Sequence, residues 1–213
     1  MRGVFVAGTD TDAGKTIVAA ALVAALGARY WKPVQSGLRD LPGGDSAEVA
    51  RLTGRDPGDF PPPAYAFQAP LAPDQAAALE GARIDPGRIV LPGEGLVVEG
   101  AGGLLVPLDG ATLMIDLARR LGLPVVLAAR TGLGTINHTL LTVRQARSMG
   151  LTVTGVVLND LAGGRHGLAE KTNVQEIPDL CGAPLLGVVP HGKSGCTTAV
   201  RRLCDRIFRG DLT

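Results

Sequence analysis

Residues 4–7, Val-Phe-Val-Ala, form an apolar run that ends at once in Gly8-Thr9-Asp10-Thr11-Asp12-Ala13-Gly14-Lys15-Thr16. A short strand, a glycine-containing turn and Gly-Lys-Thr leading into a helix are the context of a phosphate-binding loop. No other segment constrains the fold as much. Backbone N–H groups of such a turn point at phosphate oxygens, and the dipole of the helix behind it favours negative charge there. Lys15 is expected to reach the β- and γ-phosphates, and the Thr16 hydroxyl to ligate Mg²⁺. The loop is irregular in one respect: five residues separate Gly8 from Gly14, where the common pattern has four.

The rest of the chain repeats the alternation that the loop demands. Short, nearly continuous apolar runs at 3–7, 28–33, 95–99, 124–129, 152–159 and 185–189 read as strands buried on both faces of a parallel sheet. Helical stretches at 14–26, 46–52, 113–121, 136–149 and 197–208 lie between or after them. The expected fold is α/β: a three-layer, doubly wound, mostly parallel sheet of P-loop NTPase type with right-handed crossovers. Aromatics make up only 3% of the chain, so Ala, Val and Leu must fill the interior of what reads as a single domain over residues 1–213. Residues 56–92 differ, with Pro61-Pro62-Pro63, further prolines and one short helical candidate at 74–79. No independent core flanks them, so they read as a long excursion covering a site.

A formal net charge of +1 argues against a polybasic surface for nucleic acid or anionic lipid. The first apolar run is too short for a signal peptide or a membrane span. Cys181, Cys196 and Cys204 have neither CxxC nor metal-ligand spacing, and read as reduced thiols of a cytoplasmic protein.

Magnesium needs carboxylates besides a hydroxyl. Leu96-Val97-Val98-Glu99 ends a strand on an acid at its carboxyl end, where open α/β sheets bind ligands. Gly100-Ala101-Gly102-Gly103 then lets the backbone pass close to a ligand. Asp45, after Pro42-Gly43-Gly44, is either a second carboxylate or the cap of the helix that follows. Lysine is rare, at positions 15, 32, 171 and 193 only, while arginine supplies the remaining positive charge. Lys32 and Ser36, in Lys32-Pro33-Val34-Gln35-Ser36-Gly37, stand at a strand end where they could hold an anionic substrate; alone, Lys32 would pass for a surface residue.

In this order, the segments GTDTDAGKT, KPVQSG, VEGAGGLLVPL, GLGTINHTLLT, LND and GVVPH, spread from Gly8 to His191, resemble the dethiobiotin synthase family. That family shares the five-residue loop spacing. The resemblance implies an ATP- and Mg²⁺-dependent cyclo-ligase of biotin biosynthesis that converts 7,8-diaminopelargonate and CO₂ (bicarbonate) to dethiobiotin. One amine captures CO₂ as a carbamate, whose oxygen attacks the γ-phosphate to give a carbamic–phosphoric anhydride. The second amine then closes the ring and expels phosphate.

Carried onto this chain, the resemblance gives Lys15 and Lys32 the carbamate and γ-phosphate, and Thr11 and Ser36 the diamine end. Thr16, Asp45 and Glu99 would ligate Mg²⁺. Asp12, Ala13, Gly14, Lys15, Thr16 and Ile17 would cradle the phosphates, with Glu99, Gly100, Ala101 and Gly102 closing around the nucleotide. Asn159, Val189, Pro190 and His191 would hold the adenine, although Asn159 equally suits a strand-end cap. Gly134, Thr135, Ile136 and Asn137 open a helix and would receive the substrate carboxylate from the other subunit of a homodimer. Asp12 stands where many family members carry Glu.

Other classes fit less well. Related amidoligases acting on cobyrinate carry a further glutaminase domain, for which 213 residues leave no room. Asn159-Asp160-Leu161 lacks the NKxD guanine-reading pattern of GTPases. A purely regulatory nucleotide-binding module needs neither Lys32 nor Ser36 beside the loop.

Overall fold

The structure, a computed structural model, describes residues 2–160 and 167–190. At its centre runs β1 (Gly3–Gly8), buried end to end. Val4 and Val6 point to one face and Phe5 and Ala7 to the other, and each pair joins a separate hydrophobic core. Helix α1 (Lys15–Leu26) covers the Val4 face. Its Ala/Val-rich sequence is apolar nearly all round, which suits a helix packed against both the sheet and a neighbouring helix.

The chain then passes through β2 (Arg29–Trp31), β3 (Val34–Gln35), α2 (Gly44–Thr53), β4 (Tyr65–Ala66) and α3 (Pro73–Leu79) before re-entering the sheet as β5 (Leu96–Gly103). α4 (Met114–Leu121), β6 (Val125–Arg130), α5 (Thr135–Ser148), β7 (Val153–Asn159), α6 (Leu168–Cys181) and β8 (Leu185–Val189) follow. The six-stranded sheet has the order β2-β5-β1-β6-β7-β8, and all of its pairs are parallel. Val49 and Ala50 of α2 pack with α1 on one face, while residues of α4, α5 and α6 pack on the other. This is the expected three-layer, doubly wound architecture. After β1 the chain fills one side of the sheet and then crosses to the other, so a crevice opens beside β1 at the carboxyl ends of the strands.

Three elements depart from expectation. The strand anticipated over 28–33 stops at Trp31. It resumes after Pro33 as β3, which leaves the main sheet and pairs with β4 in a small parallel sheet of its own. The excursion is therefore strapped to the segment that carries Lys32, by Phe67 N–H to Gln35 O (2.8 Å), Gly37 N–H to Ala69 O (2.9 Å) and Trp31 Nε1–H to Pro62 O (3.0 Å).

β5 continues past Glu99 to Gly103, because its glycines let it stay beside β1 through a register shift after Val6. α6 was not anticipated. Within it only Asn173, Ile177 and Cys181 are buried, and Pro178 interrupts the pattern, so the apolar periodicity is too thin to read. The helix expected at 197–208, with His191, Cys196 and Cys204, lies outside the described residues. Among the described residues no helix is long and apolar enough to cross a membrane.

Candidate active site

The β1–α1 loop turns where its sequence permits. Gly14 has φ +86°, immediately before α1, and Asp12 has φ +57°, a conformation that Asp tolerates better than most side chains. Ala13 is buried beneath the loop. Lys15 folds back so that Nζ donates to Asp10 O at 3.1 Å. Burial first, then the nearby Lys32 ammonium, lowers its pKa, against the opposing pull of Glu99, Asp45 and Asp12.

Strand register assembles the charged centre. Tyr30 of β2 lies opposite Val97 of β5, so Glu99, two residues on, shares its face. Lys32, two residues beyond Tyr30, arrives on that face as well. Lys32 Nζ sits 2.8 Å from Glu99 Oε1 and 2.5 Å from Asp45 Oδ2. The Thr16 hydroxyl, in the first turn of α1, lies 3.1 Å from Glu99 Oε1 and 3.3 Å from Asp45 Oδ1.

Tyr30 Oη donates to Glu99 Oε2 at 2.8 Å. Burial opposes the charge on Lys32, but the Glu99 and Asp45 carboxylates outweigh it and raise its pKa, so the ammonium is held. Burial, aided by the same two carboxylates, pushes the Tyr30 phenol well above its ordinary value, which keeps it a neutral donor.

The two readings of Asp45 separate here. Gly43 takes the cap position of α2, and no side chain caps that helix. The Asp45 N–H donates to Gln35 Oε1 at 3.0 Å, which leaves its carboxylate turned to Lys32 and Thr16.

A cleft of about 740 Å³ contains this centre. Thr11, Asp12, Gly14, Lys15, Thr16, Ile17, Lys32, Ser36, Asp45, Glu99, Ala101, Gly102 and Asn159 all line it. Its volume is of the size that small-molecule sites commonly have. Among the described residues, the buried side-chain polar atoms without a hydrogen-bond partner are Ser36 Oγ and Asn159 Nδ2. Both belong to residues on this wall, and an unpartnered buried amide or hydroxyl there is a donor ready for a ligand. Asn159 packs over Gly14: a Cβ built on Gly14 would come 1.6 Å from Asn159 Nδ2.

Not every expected residue joins the cleft. A Cβ on Gly100 would meet the Phe5 ring on the opposite face, so Gly100 contributes backbone only. Val189 is buried at the end of β8, opposite Asn159, with Pro190 exposed after it. His191 lies outside the described residues.

Gly134, Thr135, Ile136 and Asn137 start α5 away from the cleft; Thr135 instead lines a separate depression of about 350 Å³ with Thr9, Arg130, Leu133, His138 and Glu170. Conversely, Leu41 and the Pro70–Pro73 stretch of the excursion form an unanticipated apolar wall. Tyr30 and Gln35 were also missed, although an aromatic two residues before a site lysine on one strand was a usable signal.

The residues present suit Mg²⁺. Two carboxylates and a hydroxyl converge with a lysine ammonium lodged between the acids, which shows that the pocket accommodates a cation. All three donors are hard oxygens, and Mg²⁺ usually takes one or two carboxylates and completes its shell with water and phosphate. The arrangement as a whole can bind a polyphosphate, hold a divalent cation against it, and present an ammonium to an anion beside the terminal phosphate.

Known proteins resemble this chain closely. A family model described as an AAA domain matches residues 2–194. The ATP-dependent dethiobiotin synthetase BioD of Paramagnetospirillum magneticum is 45% identical over 203 residues, covering 89% of this chain and 96% of that protein. The biotin biosynthesis bifunctional protein BioCD of Bordetella avium is 53% identical over 190 residues; the match covers 88% of this chain but only 40% of that longer protein. Among solved structures, the cell division ATPase MinD of Pyrococcus furiosus aligns with a TM-score of 0.56 at 18% identity, over 98% of this chain and 99% of that one. That likeness speaks to the fold alone.

Proposed function

The chain belongs to the ATP-dependent dethiobiotin synthetase family of biotin biosynthesis, and from that premise we propose that its cleft closes the ureido ring of dethiobiotin from 7,8-diaminopelargonate, CO₂ and ATP. The observation that carries this is the Lys32 ammonium held between Glu99 and Asp45 and lining one cleft with Lys15 and Ser36.

ATP lies with its phosphates over the loop from Asp12 to Ile17, and Asn159, with Val189, Pro190 and His191, holds the adenine. Thr16, Asp45 and Glu99 would hold Mg²⁺, which when bound would neutralise phosphate charge. Lys32, whose ammonium bonds those same two acids, would turn to the carbamate where Mg²⁺ holds them. Lys15 and Lys32 then flank the carbamate oxygen that attacks the γ-phosphate as the bond to the β-phosphate breaks and ADP leaves, and they hold the anionic anhydride that results. Thr11 and Ser36 orient the diamine so that its second amine reaches the carbonyl carbon and expels phosphate. The protein supplies position and charge, with little covalent chemistry of its own.

The alkyl chain of the substrate lies along the Leu41 and Pro70–Pro73 wall. Its carboxylate reaches Gly134, Thr135, Ile136 and Asn137 at the first turn of α5 in a second copy of the chain; the Thr135 N–H already donates to Gly132 O, and the other N–H groups of that turn are the ones left to a ligand. Leu133, 94% exposed beside that turn, is a side chain that a second copy would cover. The working unit is thus a homodimer of single-domain subunits, acting in the cytoplasm.

An isotope experiment tests the chemistry. With ¹⁸O-labelled bicarbonate, the oxygen that attacks the γ-phosphate leaves with it. The released phosphate should therefore carry one bicarbonate-derived oxygen per dethiobiotin formed. Phosphate free of label would rule out the carbamate as the nucleophile.

A further inference from the structure

We propose that Tyr30 is a positioning residue for the metal carboxylate, its hydroxyl fixing Glu99 Oε2 so that Oε1 is presented to Thr16 and to the cation. The proposal rests on reading Glu99 as a Mg²⁺ ligand. It begins with strand register: Tyr30 lies opposite Val97, and on a parallel pair the side chain two residues along is within reach of a long aromatic. The hydroxyl closes that gap at 2.8 Å.

The two carboxylate oxygens are treated differently. Oε1 receives Lys32 and Thr16, whereas among the described residues the Tyr30 hydroxyl is the only hydrogen-bond donor to Oε2. Glu99 is 1% exposed and Tyr30 0%, so no bulk water can replace that bond. Phe60, from the excursion, packs edge-on against the Tyr30 ring at 5.7 Å and 62°, a contact of the ring and not of the hydroxyl. A neutral donor has a further consequence. Unlike an ammonium, a phenol orients the carboxylate without neutralising it, so the full negative charge stays available to a divalent ion. Groups that hydrogen-bond a ligating carboxylate from behind commonly govern metal affinity in this way.

Tyr30→Phe keeps the ring and deletes only the hydroxyl. Mg²⁺ is titrated both against ADP affinity, by calorimetry, and against turnover. In Tyr30→Phe the Mg²⁺ concentration for half-maximal effect should rise about tenfold or more in both titrations, with kcat at saturating Mg²⁺ little changed. Phe60→Leu loosens the ring packing but keeps the hydroxyl. It should lower the melting temperature and leave the Mg²⁺ titration where it was.

An unmoved titration in Tyr30→Phe, or an equal shift in Phe60→Leu, overturns the proposal and makes Tyr30 an ordinary core phenol. Glu99→Gln, measured in parallel, should move the titration further than Tyr30→Phe does. If Glu99→Gln moves it and Tyr30→Phe does not, Tyr30 alone fails. If neither moves it, the metal role of Glu99 fails and takes the proposal with it.

Discussion

Lys32→Ala should lower dethiobiotin formation by about 10²–10³-fold while ATP affinity changes little. The residue is 6% exposed and lines the cleft with Lys15, and on the proposed mechanism its ammonium faces the charge that develops between carbamate and γ-phosphate. A fixed cation in a crevice with little water stabilises such charge far better than solvent does. ATP affinity should be set instead by the loop backbone and Lys15, on the proposed mode of binding.

The same substitution leaves Glu99 and Asp45 without their shared counter-ion. Removing one partner of a buried ion pair costs about 3–5 kcal/mol, so the variant should melt lower than the parent in the absence of Mg²⁺. Added Mg²⁺ should recover more of the melting temperature in Lys32→Ala than in the parent, because it supplies the missing charge. Thermal melts with and without Mg²⁺, set beside turnover at saturating Mg²⁺, separate the two roles. Full turnover once Mg²⁺ is saturating would reduce Lys32 to a counter-ion and remove it from the mechanism.

Gly14→Ala should abolish tight nucleotide binding, weakening it by about two orders of magnitude or more. Two independent effects act there. At φ +86° an alanine is strained, by about 1–3 kcal/mol for a non-glycine residue in that region. The new Cβ would also fall 1.6 Å from Asn159 Nδ2 and 2.6 Å from its Cγ. Asn159 is 1% exposed and packs over Gly14, so the methyl could be admitted only by displacing this amide from its place on the cleft wall. The double variant Gly14→Ala/Asn159→Ala relieves the collision but not the strain, and should recover binding only in part. Calorimetry with ADP measures both. Parental affinity in Gly14→Ala would mean that the loop does not hold phosphate in the conformation seen here.

The difference between what was legible in the sequence and what was not follows the range of each interaction. The phosphate loop, its strand and its helix are set within a few residues of one another, so the run from Val4 to Thr16 fixed both the fold class and the centre of the site. Glu99 was legible because an acid at the carboxyl end of a buried strand is placed by a rule of sheets rather than by a partner.

Asp45 was not decidable in the same way, since an aspartate after a glycine turn serves equally well as a cap. What removes the cap reading is non-local: Gly43 takes the cap position, and the Gln35 side chain receives the Asp45 N–H from ten residues away. Tyr30 depends on the register between two strands far apart in sequence, which no local pattern encodes. The excursion does bring Pro70–Pro73 to the cleft wall, but its anchoring through the β3–β4 pair required knowing that one sheet's strand stops at Trp31 and another sheet begins at Val34. The first turn of α5 was legible as a helix start, while its separation from the cleft within one copy of the chain was not.

The most direct measurement is phosphate release from ATP and Mg²⁺ with bicarbonate, with and without 7,8-diaminopelargonate, while dethiobiotin is followed by mass. Phosphate should be released mole for mole with dethiobiotin, and only when the diamine is present. Phosphate release independent of the diamine, or ATP binding with no dethiobiotin formed, would contradict the proposed reaction.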